Sequence, residues 1–242
     1  MIYEIAGLRV KIENRYDFTT KFCQEYLSED QTSQVHIVAR ASEEEFLEEK
    51  KYSGKFSDGY IENICLYRSL CCQIPLFNRM LLHCAVLEYE GKAYAFLGRS
   101  GTGKSTHTRL WKKYLGSPKM VNGDKPILEW VEDGFIAHGT PWRGKESWGE
   151  RTSAPLYGLC FLEQAKENSI RKLSPAEVSS RLFGQILLPE EEENVISTLE
   201  LADKLIATTP AYLLKCDISK EAVKLSFEAM TALSFADREQ TF

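Results

Sequence analysis

The spacing of apolar and polar side chains divides the first part of the chain into short strands and helices. Apolar residues alternate with polar ones from Tyr3 to Glu13, which predicts a β-strand, and Val35 to Ala39 is a second, shorter run of this kind. Between these two runs, Phe18 to Leu27 is predicted to form a helix. Ser42 to Lys51 is strongly acidic around two apolar residues, which is typical of a helix with a solvated face.

A long helical pattern and a hairpin pattern follow in the middle of the chain. Ile61 to Met80 carries apolar side chains at helical spacing, and Pro75 is expected to break or kink this helix. The apolar runs from Leu81 to Leu87 and from Ala93 to Leu97 then flank a polar segment with Gly91 in the turn, which predicts a β-hairpin.

The rest of the chain continues with a second hairpin and ends in helices. The predicted elements are a helix over Ser105–Leu115, a hairpin of Ile127–Val131 and Phe135–His138, strands over Leu156–Leu162 and Tyr212–Cys216, and helices over Pro175–Phe183, Glu190–Ile206 and Lys220–Leu233, with Ser174 and Ser219 as caps. We therefore expect an α/β protein built on a mixed sheet with hairpins and a helical C-terminal region. Residues 1–60 are expected to form a short N-terminal α+β region and residues 61–242 the main domain, with one continuous domain as the alternative.

Composition excludes several classes of protein. Of the 242 residues 43% are hydrophobic, which excludes a disordered tail, and the formal net charge of −5 argues against a nucleic-acid partner. The sequence shows no signal-peptide pattern and no run of about 18 apolar residues, so we expect no membrane partner. The 7 cysteines lack CxxC spacing and fit reduced thiols, so a cytoplasmic location is expected.

The segment from Gly98 to Thr106 carries the clearest chemical signal. Gly98–Ser105 matches GxxxxGK[ST] and lies between a predicted strand and a predicted helix, as a phosphate-binding P-loop requires. Glycines let backbone N–H groups curl around phosphate oxygens, and the helix N-terminus adds partial positive charge. A glycine-rich turn that merely joins strand and helix is the alternative. The predicted nucleotide-binding residues are Gly98, Arg99, Ser100, Gly101, Thr102, Gly103, Lys104, Ser105 and Thr106.

These residue types predict a nucleoside triphosphate and Mg²⁺ as the ligands. Lys104 is predicted to neutralise the β- and γ-phosphates and to take part in catalysis, and the Ser105 hydroxyl is predicted to ligate Mg²⁺. A carboxylate is also needed, to hold Mg²⁺ or to accept a proton. Asp124, in a segment predicted to start a strand, is the first candidate for both roles; an ordinary turn aspartate is the alternative.

Two histidines and one loop add further candidates. His83, in the predicted strand beside the P-loop strand, is a candidate catalytic residue, with a core histidine as the alternative. His107, in the first turn of the predicted P-loop helix, is a candidate for lining the site. In the loop from Gly139 to Glu146, Arg143 and Lys145 are candidates for phosphate or substrate contacts, and Glu146 is the second candidate metal ligand. A polar surface loop is the alternative for this stretch.

These motifs resemble the C-terminal domain of HPr serine kinase/phosphorylase and its short bacterial relatives, whose fold is shared with ATP-type phosphoenolpyruvate carboxykinases. The resemblance is carried by Leu82-His83, Phe96–Thr106, Asn122–Pro126 and Gly139–Trp142. It implies that His83 is the active-site histidine before the P-loop, that Asp124 is the general base and that Ser105 binds Mg²⁺.

The chain departs from the pattern of that family at three points. Gly123 stands where the family has the first of two adjacent aspartates. Pro141–Glu146 replaces an ExRGxG-type signature, which argues against phosphorolysis. The N-terminal part does not resemble the separate N-terminal domain of full-length HPr kinases. Short relatives of this kind are associated with peptide-modification clusters, which implies a peptide or small-protein acceptor rather than HPr itself.

The leading hypothesis is an ATP- and Mg²⁺-dependent kinase that transfers the γ-phosphate to a hydroxyl, above all to a serine of a peptide or small protein. The alternatives are a small-molecule kinase or carboxykinase-like enzyme, and a nucleotide-binding regulatory protein whose chemistry is weakened at Gly123. The oligomeric state is left open between a monomer and a homo-oligomer.

Overall fold

The computed structural model describes residues 1–116 and 118–238, and the chain divides into two compact units. The first unit is formed by Met1–Arg79 and Leu187–Thr198, and the second by Met80–Ile186 and Leu199–Phe242. The expected boundary between residues 60 and 61 falls inside helix α3 (Asp58–Gln73), which belongs wholly to the first unit. Ser117 and the last four residues of the expected main domain lie outside the described residues.

Three strands and three helices make up most of the first unit. The strands are β1 (Ile2–Ile5), β2 (Leu8–Glu13) and β3 (Ile37–Arg40); β2 is antiparallel to β1 and parallel to β3. The helices are α1 (Asp17–Phe22), α2 (Glu43–Ser53) and α3. The acidic helix α2 begins with a capping box, in which the Ser42 hydroxyl and the Glu45 carboxylate each accept the other residue's backbone N–H.

The first unit corrects two of the predicted elements. Tyr3–Glu13 is not one strand, because Ala6 and Gly7 adopt φ angles of 50° and 73° and turn the chain back into the β1–β2 hairpin. The helix predicted over Phe18–Leu27 ends at Phe22, and a separate 3₁₀ turn follows. The predicted break at Pro75 is confirmed, since α3 ends before it and a 3₁₀ turn begins.

A mixed sheet of nine strands organises the second unit. Its strands are β4 (Arg79–Leu81), β5 (Cys84–Tyr89), β6 (Lys92–Leu97), β7 (Lys119–Asn122), β8 (Ile127–Val131), β9 (Gly134–His138), β10 (Ser153–Gln164), β11 (Ser169–Lys172) and β12 (Ala211–Cys216). They are ordered β4-β8-β9-β10-β6-β5-β7, with β12 paired to β10 and β11 to β12. The long strand β10 is antiparallel to β9 at its start and parallel to β6 and β12 further on. The expectation of an α/β protein with a mixed sheet is confirmed.

Helices cover both faces of this sheet. They are α4 (Lys104–Leu115), α5 (Pro175–Leu182), the later part of α6 (Glu192–Thr208) and α7 (Lys220–Thr231). Successive side chains of a strand point to opposite faces. In β5, Leu87 belongs to a buried cluster with Trp111 of α4 and Phe227 of α7, whereas Val86 belongs to a second cluster with Leu182 of α5. The sheet is therefore buried on both sides.

Several details of the second unit differ from the predictions. Leu81–Leu87 is not one strand, because the chain leaves the sheet at His83, between β4 and β5. Strands β7 and β11 were not predicted, and β10 is longer than Leu156–Leu162. The predicted caps at Ser174 and Ser219 are confirmed. No helix within residues 1–116 or 118–238 is long and apolar enough to cross a membrane.

Candidate functional site

The predicted P-loop connects the end of β6 to the start of α4. β6 is an interior strand between β5 and β10, and its residues from Ala93 to Leu97 are buried. Helix α4 begins at Lys104, so its unpaired N-terminal N–H groups belong to the end of the loop, where they favour an anion. This is the strand–loop–helix arrangement that the GxxxxGK[ST] pattern predicts.

Internal hydrogen bonds fix the shape of the loop. The N–H and hydroxyl of Thr102 donate to the carbonyl oxygen of Arg99, at 3.2 and 2.9 Å. The Gln164 amide at the end of β10 donates to the carbonyl oxygen of Gly101 at 3.0 Å. Gly98 has a φ of +152°, and a Cβ there would lie 2.6 Å from the Thr102 hydroxyl, so the first position of the loop requires glycine.

The three predicted catalytic residues lie together at this loop. The Nζ atom of Lys104 is 3.4 Å from Nε2 of His83, and the same Nε2 is 3.2 Å from Oδ1 of Asp124. Lys104 also donates to the carbonyl oxygen of Gly98 at 2.7 Å. The three side chains come from separate segments of the chain, so the fold, and not proximity in sequence, brings them together.

Burial and charge act in opposite directions on Asp124. Burial raises its pKa, but the hydrogen bond from His83 and the positive charges of Lys125 and Lys104 outweigh this, so the pKa of Asp124 lies below its ordinary value. For Lys104 burial dominates and lowers the pKa, although the Asp124 charge opposes it. Asp124 is therefore ionised at neutral pH, as a general base or a metal ligand must be.

Asp124 lies in a turn between β7 and β8 and not at the start of a strand, which corrects the sequence-based expectation. Two backbone N–H groups of this turn, those of Asp124 and Lys125, donate to the side-chain oxygen of Asn122. The N–H of Cys84 donates to the carbonyl oxygen of Asp124 at 3.1 Å, which ties the turn to the start of β5. Sequence reasoning missed Asn122; the Asn-Gly dipeptide before Asp124 was the available signal.

The structure explains why glycine stands at position 123. A Cβ at Gly123 would lie 2.9 Å from the carbonyl oxygens of both Arg143 and Trp148. On the other side of the same turn, a Cβ at Gly144 would lie 2.8 Å from the Cβ of Asp124. The loop from Arg143 to Trp148 thus packs directly on the turn, and a second aspartate at position 123 would not fit unless this loop moved.

Glu146, the second candidate metal ligand, is ion-paired with Arg109 of α4. The Arg109 guanidinium and the Lys112 ammonium lie 5.4 and 5.3 Å from the ring centre of Trp148. These contacts tie the loop to the outer side of α4, and Glu146 is engaged in that role. Lys145 is exposed at the tip of the same loop.

A cavity of about 500 Å³ opens beside the P-loop. This volume lies in the range typical of small-molecule pockets. Its wall combines P-loop residues, apolar side chains of α4 and β10, the polar end of β10 and the residues that follow β12. The lining residues are Gly101, Thr102, Gly103, Thr106, His107, Leu110, Leu162, Gln164, Ala165, Cys216, Asp217 and Ile218.

His107 contributes to the wall of this cavity but is a core residue, with 3% of its surface exposed. Its Nε2 is 2.9 Å from the hydroxyl of Ser226, which also accepts the Trp111 indole N–H at 2.8 Å. Burial lowers the pKa of His107 to about 3, so the ring is neutral at physiological pH. It is unsuited to acid–base chemistry at the phosphates.

The residues around the loop fit a nucleotide-bound Mg²⁺. Within the part of the chain that the structure describes, no group of three or more His, Cys, Asp or Glu side chains could hold a metal by itself. Mg²⁺ in phosphate sites is usually held by one or two protein oxygens together with phosphates and water. Ser105, half-buried in the first turn of α4, and the ionised Asp124 supply oxygens of the required kind.

No protein-family model matches the chain, and no match was found among curated proteins. The interpretation of the site therefore rests on its own residues. Among the predicted site residues, the structure brings the P-loop, His83 and Asp124 to one place. It assigns Glu146 to an ion pair with Arg109.

Proposed function

We propose that this chain binds ATP with Mg²⁺ at the P-loop and transfers the γ-phosphate to a hydroxyl group. The observation that carries the proposal is the contact chain from Lys104 through His83 to Asp124, with separations of 3.4 and 3.2 Å, directly at a glycine-rich loop that caps a helix. A connecting turn needs neither a nearly buried lysine nor an ionised carboxylate beside it. Phosphoryl transfer needs both.

Most residues of the site have one role in this reaction, and Asp124 has two. The N–H groups of the P-loop and the Lys104 ammonium bind phosphate oxygens and stabilise the charge that develops on them. Asp124 accepts the proton of the attacking hydroxyl, and its hydrogen bond with His83 orients the carboxylate. Ser105 and Asp124 would hold Mg²⁺ together with the phosphates, and the ion would supply further charge neutralisation there.

The cavity beside the P-loop offers space for the nucleoside. It begins at Gly101–Gly103, where phosphates would lie, and continues along Leu110 and Leu162, whose apolar side chains suit the face of a base. Gln164 at its rim already donates to the loop carbonyl of Gly101. This continuity between loop and cavity favours a nucleotide over inorganic phosphate.

The class of acceptor rests on the resemblance to short HPr-kinase-like proteins, which favours a serine of a peptide or small protein. A small-molecule hydroxyl is the enzyme alternative. A regulatory protein that binds nucleotide without transferring phosphate is favoured by one observation: Gly123 leaves the site with one aspartate where the resembled family has two.

The proposal is tested by ATP titration and by transfer of labelled γ-phosphate to serine-containing peptides and small hydroxyl compounds. Lys104→Ala removes a charge-assisted contact to the phosphates, so we expect ATP affinity to fall by about tenfold or more. Lys113→Ala, on the same helix, is the matched control and is expected to retain wild-type affinity. Wild-type binding and transfer by Lys104→Ala would contradict the P-loop assignment. Binding of ATP without transfer to any acceptor would favour the regulatory protein.

A further inference from the structure

Two polar side chains next to the turn that carries Asp124 are fully buried. Asn122 ends strand β7 and Thr140 follows strand β9, and both have 0% of their surface exposed. Burying an amide or a hydroxyl is unfavourable unless its hydrogen bonds are made. The groups to which these two side chains bind therefore indicate what they do.

Their hydrogen bonds form a closed network around the backbone that carries Asp124. The Oδ1 atom of Asn122 accepts the N–H of Asp124 at 2.9 Å and that of Lys125 at 2.7 Å. Its Nδ2 group donates to the carbonyl and hydroxyl oxygens of Thr140, at 3.2 and 3.0 Å. The Thr140 hydroxyl then donates to the carbonyl oxygen of Lys125 at 2.7 Å. Both ends of the Asn122 amide are fully used.

We propose that Asn122 and Thr140 are positioning residues, which hold the Asp124 turn so that the carboxylate stays against His83 and the P-loop lysine. The inference rests on the proposed function. Two N–H groups and one carbonyl group of the turn are bound, and these belong to Asp124 and the residue after it. The Asp124 side chain is then confined between His83 at 3.2 Å and the backbone of Gly144.

A small displacement of this turn would separate the base from the reacting hydroxyl. Misplacement of a catalytic group by about 1 Å can cost about a hundredfold in rate. The P-loop does not depend on these hydrogen bonds. Its shape is fixed by the bond from the Thr102 hydroxyl to the Arg99 carbonyl and by the bond from the Gln164 amide to the Gly101 carbonyl. Loss of the network should therefore affect the transfer step more than nucleotide binding.

Thr140→Val is the principal test, since it removes the hydroxyl and keeps the shape of the side chain. We expect single-turnover transfer from ATP to a serine-containing peptide to slow between about tenfold and a hundredfold, with the ATP dissociation constant changed by no more than a few-fold. Thr140→Ser, which restores the hydroxyl, should recover most of the rate. Asn122→Ala is the second variant, and thermal melting establishes the folded fraction for which each rate is corrected.

A double-mutant cycle distinguishes positioning from a general loss of stability. If Thr140 acts through Asp124, Thr140→Val should cause no further loss of rate in an Asp124→Asn background. Thr198→Val is the matched control, because that buried hydroxyl also donates to a backbone carbonyl, at 2.7 Å, but in helix α6. It should lower thermal stability and leave the transfer rate per folded molecule unchanged.

The outcomes separate this inference from the proposed function. An active wild type whose Thr140→Val and Asn122→Ala variants keep the full rate per folded molecule would overturn the positioning role alone. Equal losses in the wild-type and Asp124→Asn backgrounds would do the same. A wild type that binds ATP but transfers nothing would overturn the proposed function, and the positioning role with it.

Discussion

One histidine lies in helix α4 and another lies beside its first residue, and their surroundings differ in ways that decide what each can do. His83 is one-third exposed and contacts both Lys104 and Asp124. His107 is almost fully buried, packs its ring against Phe96 at 5.0 Å and bonds to a serine hydroxyl. The comparison teaches that the residue type alone says little about function. A charged partner and access to solvent mark the histidine that can take part in chemistry.

The same contrast divides helix α4 into two working parts. Its first turn presents Lys104 and Ser105 to the P-loop, whereas its buried face carries His107 and Trp111 into a cluster of aromatic side chains. Under the proposed function, substitutions at Lys104 or Ser105 should lower activity, whereas substitutions on the buried face should lower the stability of the fold. The following variants are designed to test whether the two parts separate in this way.

The largest effect is expected for Asp124→Asn, which keeps the shape of the side chain and removes its charge. Transfer should slow by at least about a hundredfold because general-base help is lost, while ATP affinity stays within a few-fold. Nucleotide titration and single-turnover transfer measure the two quantities. Asp133→Asn, in the exposed β8–β9 turn, is the matched control. Under the proposed function His83 orients the carboxylate and accepts no proton itself, so His83→Ala should slow transfer less than Asp124→Asn.

Two other outcomes for Asp124→Asn would change the assignment of roles. Full transfer activity would remove Asp124 from the reaction and end the kinase mechanism as drawn. A joint loss of ATP affinity and of the response to Mg²⁺ would make Asp124 mainly a metal ligand, and the base would then be sought at His83, since Glu146 is paired with Arg109.

The burial of His107 should affect how the stability of the fold depends on pH. Its pKa is lowered from 6.5 to about 3 in the folded chain, so the unfolded chain binds an additional proton between these values. The free energy of unfolding therefore falls as the pH decreases below about 6.5, by up to about 1.4 kcal/mol per pH unit from this group. His107→Gln should reduce that slope in urea unfolding between pH 5 and 7.5.

Ser226→Ala is the control for this measurement. It removes the hydrogen-bond partner of His107 but leaves the ring buried, and burial is the cause of the lowered pKa. We expect it to destabilise the fold at every pH and to keep the slope. An identical slope in wild type and His107→Gln would show that the ring is accessible to protons in the folded state.

The smallest effect is expected on the Mg²⁺ concentration that the transfer reaction requires. Ser105→Ala should raise the Mg²⁺ concentration needed for half-maximal transfer by a few-fold, because a neutral hydroxyl is one ligand among several. Glu146→Gln should leave this concentration unchanged, since Glu146 is paired with Arg109. A Mg²⁺ requirement that shifts for Glu146→Gln and not for Ser105→Ala would reverse the two assignments.

The parts of the fold that the sequence predicted are long segments with regular apolar spacing and segments with a strong local signal. The helix caps at Ser174 and Ser219 and the hairpin turn at Gly91 depend on neighbouring residues, and each was found where predicted. Strand β7 could not be predicted, because its four residues are defined by pairing with β5 and not by their own pattern. The Ala6-Gly7 turn was missed, although the buried apolar positions shift there from odd to even numbers, from Tyr3 and Ile5 to Leu8 and Val10.

For the site, the sequence located the loop but not the contacts that surround it. The P-loop pattern is local, and His83 and Asp124 were candidates from their places in the sequence before the resemblance implied a role for each. The pairing of Glu146 with Arg109 and the network of Asn122 with Thr140 join residues that are distant in the chain. No spacing rule in the sequence could anticipate either set of contacts.

The place of β10 in the sheet bears on the order in which the chain is assembled during synthesis. β6, which leads into the P-loop, pairs with β5 on one side and with β10 on the other, and residues 98–152 are made between β6 and β10. The β5–β6 hairpin is complete early, but its open edge must wait for β10, and an unpaired apolar strand edge is prone to associate with other chains. The loop also receives its Gln164 contact only when the end of β10 has emerged. Under the proposed function, the loop would reach the shape in which it binds nucleotide only once residue 164 has left the ribosome.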